Sequence, residues 1–106
     1  MKFTLKEVIE ANKRLGGTLL SDSNLRFAES VCKNSRSLYR CTAAWMRAII
    51  VDHPFSDANK RTAVYVMARL MGIKNRNKLN NAIIKIARRN ITDLRKIEEM
   101  LKNANR

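Results

Sequence analysis

Apolar positions along this chain recur at intervals of three and four almost from end to end, and no stretch alternates like a strand for more than a few residues. That period buries one face of a helix, so the pattern predicts an all-α chain. The opening segment FTLKEVIEANKRLGG places Leu5, Val8, Ile9 and Leu15 on a shared face. Thr4 stands at capping-box spacing before Glu7, Phe3 and Val8 are spaced as a hydrophobic staple, and Gly16 supplies the stop. A second helix is predicted over about Ser23 to Lys33, with Leu25, Ala28 and Val31 inward, and NSRSLYR reads as a polar link after it. The third, about Ser37 to Asp52, carries Leu38, Cys41, Ala44, Trp45, Ala48 and Ile49 on its buried face. Pro54 disfavours helical geometry at His53, so this helix should end there.

Asp57 is expected to cap a fourth helix, running through ANKRTAVYVMARLM to Gly72. It is apolar around much of its girth, which predicts that it forms the centre of the fold. Helix five, about Lys78 to Arg89, has Leu79, Ala82, Ile83 and Ile86 for its core face and Lys85, Arg88 and Arg89 outside. Thr92 is expected to cap a last helix with Leu94, Ile97, Met100 and Leu101 inward. There is no internal repeat and no linker. The expectation is therefore one domain over residues 1–106, a compact all-α bundle of about six helices, with Trp45, Met67 and Met71 in its core.

Composition narrows the function classes. Apolar residues make up 45% of the chain without low-complexity interruption, which is enough for one core. No apolar run is long enough to cross a bilayer, and the first residues lack the apolar block of a signal peptide, so a cytoplasmic protein with no membrane association is expected. Cys32 and Cys41 form no CxxC pair, and a single histidine cannot complete a zinc site with them. They are expected to be reduced thiols. Asn90-Ile91-Thr92 matches a glycosylation sequon by chance in this setting.

Charge adds most to the picture: 22 Lys and Arg against 9 Asp and Glu, a net +13. Residues 74–106 are denser in the excess than residues 1–73, yet no separate basic tail exists. Such a surface suits nucleic acid, nucleotide phosphates or an acidic protein.

The chemistry concentrates in HPFSDANKRTA, His53 to Ala63, which holds the only histidine and the only proline. Helix N-termini favour anions, because their N–H groups are unpaired and the helix dipole is positive there. Asp57 obeys that rule; Lys60 and Arg61 break it. An anion at the helix start removes the conflict, since free N–H groups, dipole and two cations would converge on phosphate. His53 can accept a proton near neutrality. Asp57 is suited to Mg²⁺ beside a phosphate. Ala58 lets a ligand approach the backbone, Asn59 suits unusual backbone angles or a bond to a neighbouring loop, and Phe55 reads as the core anchor of the loop. Together they form a constellation for phosphoryl or nucleotidyl transfer.

HPFSDANKR resembles the signature loop of the Fic/Doc (Fido) superfamily, whose general form is HPFx(D/E)GNGRxxR. TAAWMRAIIVDHPF upstream and TAVYVMARLMG downstream are similar to the family's flanking helices, so the likeness spans about residues 20–72. It implies the Fido fold, ATP as substrate and Mg²⁺ as cofactor. By position, His53 would deprotonate the target hydroxyl and Asp57 would hold Mg²⁺. Backbone N–H groups around Ala58, Asn59 and Lys60 would form the anion hole, with the Lys60 and Arg61 side chains on the remaining phosphate oxygens. Ala58-Asn59-Lys60-Arg61 stands where adenylylating relatives have Gly-Asn-Gly-Arg, and Val64 stands at their second arginine. Both departures resemble the Doc (death-on-curing) branch, toxins of toxin–antitoxin modules. That branch phosphorylates a threonine of the elongation factor that delivers aminoacyl-tRNA, with ATP turned around in the site. The resemblance thus implies a toxin-type protein kinase, and the alternatives are a Fic-type adenylyltransferase or a degenerate Fido fold that binds nucleic acid through its charge. The family's target-docking flap would fall in about Lys33 to Arg40, which is short and polar here. The inhibitory pattern (S/T)xxxE(G/N) is missing from the sequence, so restraint is expected from a separate antitoxin, a disordered segment folding onto the enzyme.

Overall fold

A computed structural model describes residues 3–106 and folds them as six α-helices: α1 Leu5–Arg14, α2 Ser23–Lys33, α3 Leu38–Met46, α4 Asn59–Leu70, α5 Arg76–Arg89 and α6 Leu94–Ala104. A π-helical turn, Arg47–Val51, continues α3. Among the described residues no strand forms beyond an isolated antiparallel bridge between Leu19 and Phe55. The all-α bundle expected from periodicity is the fold observed.

Local chemistry accounts for most of the helix ends. The Glu7 N–H donates to Thr4 Oγ1 at 3.2 Å, Phe3 and Val8 are buried as the staple requires, and Gly16 turns the chain at φ +97°. α5 starts earlier than its apolar face suggests, because Asn75 Oδ1 accepts the Lys78 N–H at 3.1 Å and so caps it. α6 is capped by Asp93 and not by Thr92: the carboxylate accepts the N–H groups of Arg95 and Lys96 at 2.9 and 3.3 Å. Two adjacent cap-forming residues look alike in sequence, and the backbone register chooses between them.

The centre of the bundle is α3, a correction to the expectation for α4. Every residue from Cys41 to Met46 is buried, and α3 packs against α2, α4 and α6. α4 leaves Arg61, Ala68 and Arg69 exposed and Val64, Tyr65 and Leu70 half-covered, so apolar girth overstated its enclosure. Leu38, expected inward, is 41% exposed at the outer end of α3. Trp45 and Met67 are fully buried and Met71 is half-buried against the core, and Phe3 meets the Trp45 ring edge-on at 5.9 Å. Lys33 to Arg40 contains no hairpin: α2 ends and α3 begins on either side of a link at residues 34–37.

Across the α3–α6 seam, Arg40 Nε donates to Glu98 Oε1 at 2.7 Å, and Lys102 Nζ lies 3.1 Å from Glu98 Oε2. The Arg40 hydrogen bond, aided by Lys102 and opposed by burial, holds the Glu98 carboxyl below its usual pKa of 4.5. A depressed carboxylate pKa contributes stability above the unfolded-state value and loses it as pH falls through the folded-state one. Glu98→Gln should therefore cost about 1 kcal/mol at pH 7, and the gap to wild type should close below pH 4.5 in denaturant titrations.

Cys32 and Cys41 are joined in a disulfide, which corrects the expectation of free thiols. Cys41 sits on the inward face of α3, as the periodicity predicts, and Cys32 is buried on α2 where Val31 was expected inward; only the packing of α2 on α3 brings the two cysteines together. The bond spans a sequence separation of 9, and closing a loop of that size removes unfolded-state entropy worth about 2–3 kcal/mol. Reduction should lower the melting temperature by about 10 °C or more, measured by calorimetry with and without reductant.

Candidate active site

The π turn ends just before the loop, and Pro54 denies His53 the right-handed helical region. His53 takes φ +48°, a left-handed conformation that histidine adopts more readily than branched residues do. Its imidazole is exposed.

Behind His53 the loop is fastened at several points. Phe55 is 2% exposed and anchors it in the core. The extended segment at residues 18–21 lies alongside, with the Leu20 N–H donating to Pro54 O and the Ser56 N–H to Thr18 O, both at 2.8 Å. Asn59 reaches back from the first turn of α4: its Oδ1 accepts the Phe55 N–H at 3.2 Å and its Nδ2 donates to Phe55 O at 2.9 Å. Of the two roles open to Asn59, the bond to a neighbouring loop is the one its side chain plays.

Two residues that sequence reasoning passed over complete the frame. Asn12 of α1, 1% exposed, donates from Nδ2 to Asp57 O at 2.9 Å and to Thr62 Oγ1 at 3.1 Å. Gly17 lies so close that a Cβ there would stand 2.2 Å from Asn12 Oδ1 and 2.5 Å from Asp57 O. The sequence shows only an asparagine four residues after Val8 on α1 and a second glycine in LGG; that Asn12 is buried is seen only in the fold.

The start of α4 departs from the expected cap. Ala58, not Asp57, is the N-cap residue; it adopts φ +61° and provides no side-chain acceptor. Asp57 Oδ1 instead accepts the Ala58 N–H at 2.7 Å, which sets the carboxylate at the mouth of the helix. Among the described residues, the N–H groups of Asn59, Lys60 and Arg61 have no protein acceptor, while the Thr62 N–H returns to Ala58 O. A β-carbon at positive φ is strained. Ala58→Gly should therefore raise stability by about 1 kcal/mol, and Ala58→Val should lower it, as read from denaturant midpoints.

His53, Asn59 and Lys60 share a cleft of about 460 Å³. Its other wall comes from α5, through Ile83, Ile84, Ala87 and Arg88, with Ile50 of the π turn between. Asp57 and Arg61 are exposed beside the cleft but do not line it, and Ala58 is buried beneath the loop. The loop motif offered no hint of the α5 wall, and Arg88 read only as part of a solvated face. A larger cleft, about 560 Å³, lies by the α2–α3 link and includes Arg40 and Glu98. It contains none of the loop residues, and its Arg40 is already paired with Glu98, so the cleft at His53 is the candidate site.

No cluster of three or more His, Cys, Asp or Glu side chains gathers for a metal among the described residues. The donor set is the lone Asp57 carboxylate at a helix start rich in free N–H groups. That set fits Mg²⁺ carried on nucleotide phosphates, which needs few protein ligands, and does not fit an all-protein cage.

The family model described as the Fic/DOC family matches residues 9–71, from α1 through the end of α4. No curated protein matches the chain, and no solved structure does.

Proposed function

Because this chain belongs to the Fic/DOC family, whose members transfer nucleotide or phosphate groups, we propose that it is a Doc-like transferase moving the γ-phosphoryl group of ATP to a hydroxyl of a protein. The observation that carries this reading is the shared cleft of His53 and Lys60 at the uncapped start of α4.

In this reading, His53 accepts the proton of the attacking hydroxyl as its oxygen bonds to phosphorus, and the bond from the γ-phosphorus to ADP breaks in line. The free N–H groups of Asn59, Lys60 and Arg61 stabilise the anionic oxygens, with the Lys60 and Arg61 side chains beside them. Asn59 and Asn12 act by holding the loop, so that these donors are in place before substrate arrives. Asp57 would hold Mg²⁺, which when bound neutralises phosphate charge. Lys60 supports phosphoryl over nucleotidyl transfer: its side chain fills space in the cleft that a glycine would leave open, and so favours a different placement of the triphosphate. A threonine of a translation elongation factor is the target class, a cytoplasmic setting follows from it, and a separate antitoxin supplies the restraint.

The test incubates the protein, Mg²⁺ and host lysate with ATP labelled at the α- or the γ-phosphate. Transfer of γ-label alone is expected. Transfer of α-label would replace the kinase reading with adenylylation. Label from neither, together with binding of nucleic acid that weakens steeply with salt, would favour a binding module built on the +13 surface.

A further inference from the structure

α5 contributes more to the cleft than a wall. Ile84, Ala87 and Arg88 follow one another at helical spacing, so they share a face, and all three line the same space as His53 and Lys60. The buried Ile50 and Ile83 back that face. The guanidinium of Arg88 makes no ion pair among the described residues, and no acidic side chain lines the cleft. Two uncompensated cations from different helices thus flank an apolar surface, in a volume of about 460 Å³ that suits a small molecule. Cations held near one another without counter-charge repel, and a polyanion relieves that repulsion. An apolar wall beside them adds favourable burial only for a ligand that is also partly apolar. A nucleoside triphosphate combines both properties; inorganic phosphate or a simple acidic peptide has only one.

We propose that Arg88 on α5 is the second phosphate-holding cation of the cleft, acting with Lys60, and that Ile84 and Ala87 seat the nucleobase of the same nucleotide. The proposal rests on the nucleotide-transfer reading of the site and adds to it a specificity helix outside the signature loop. The guanidinium presents a planar fork of donors to phosphate oxygens, which a lysine matches only as a point charge.

The experiment measures binding of Mg·ATP to the full chain by calorimetry, with adenosine as competitor. Arg88→Ala should weaken ATP about tenfold, the loss of one charge-assisted contact, and leave adenosine competition unchanged. Arg88→Lys should restore part of the loss, and Ile84→Asn should weaken ATP and adenosine together. Arg88 is exposed, so melting temperatures of its variants should match wild type. Unchanged ATP affinity in Arg88→Ala would overturn the phosphate role while wild-type binding upheld the transferase reading. Tight ATP binding without adenosine competition would overturn the nucleobase seat. Failure of wild type to bind Mg·ATP at all would overturn the transferase reading itself.

Discussion

Replacing His53 by alanine should lower transfer by about 10²- to 10⁴-fold, the usual contribution of a positioned general base. The side chain is exposed, so its truncation removes no core contact. Its backbone is another matter, because φ +48° strains alanine. His53→Asn separates the two effects: asparagine adopts left-handed backbone comparatively easily but is no base at neutral pH. Both variants should be nearly inactive, with the asparagine one melting closer to wild type. ATP binding should survive in each, since the free N–H groups of α4 and the Lys60 side chain are untouched. Activity within threefold of wild type in His53→Asn would remove the imidazole from the chemistry.

Gly17→Ala should cost about 3 kcal/mol of stability, the upper end of ordinary overpacking. One methyl group does this because of where it lands. The new Cβ would meet Asn12 Oδ1 at 2.2 Å and the Asp57 carbonyl at 2.5 Å, and neither can yield alone. Asn12 is buried and bonded to Asp57 O and Thr62 Oγ1. Asp57 O belongs to the backbone that positions the start of α4. Relief therefore requires the loop to move, and transfer activity should fall with stability. Gly16→Ala is the contrasting control: nothing lies within 4 Å of a Cβ there, and only the positive φ is penalised. The Gly17 variant should show the larger drop in denaturant midpoint and lose activity even well below its melting temperature. Equal behaviour of the two variants would mean that Gly17 matters only as a turn.

The contrast between these two glycines shows what can be read along a chain and what cannot. Gly16 follows an amphipathic run and ends it, a local event with a local signal. Gly17 is required by Asn12 and Asp57, and only folding brings Asp57 beside it. The same division runs through the site. His53, Asp57, Asn59, Lys60 and Arg61 were legible as a candidate group because the loop is contiguous and its cations contradict the helix dipole. Arg88 was not, since the cleft joins α5 to the loop through tertiary packing, and a lone exposed arginine in a basic protein carries no local signal. Asp57 has the chemistry and the place of a cap, yet the left-handed turn at Ala58 shifts the cap by one residue, and the carboxylate accepts the Ala58 N–H instead.

The sequence by itself determined the helical class, the extents of α1 and α2, the buried faces of α5 and α6, and the place of the loop between two helices. Each of these follows from interactions within a few residues: a 3.6-residue period, a cap, a proline. The tertiary structure decided that α3 and not α4 lies at the centre, that Cys32 meets Cys41, that Asn12 holds the loop, and that α5 closes the cleft. Those outcomes depend on which surfaces cover one another, and coverage is a property of the packed whole that no local pattern encodes.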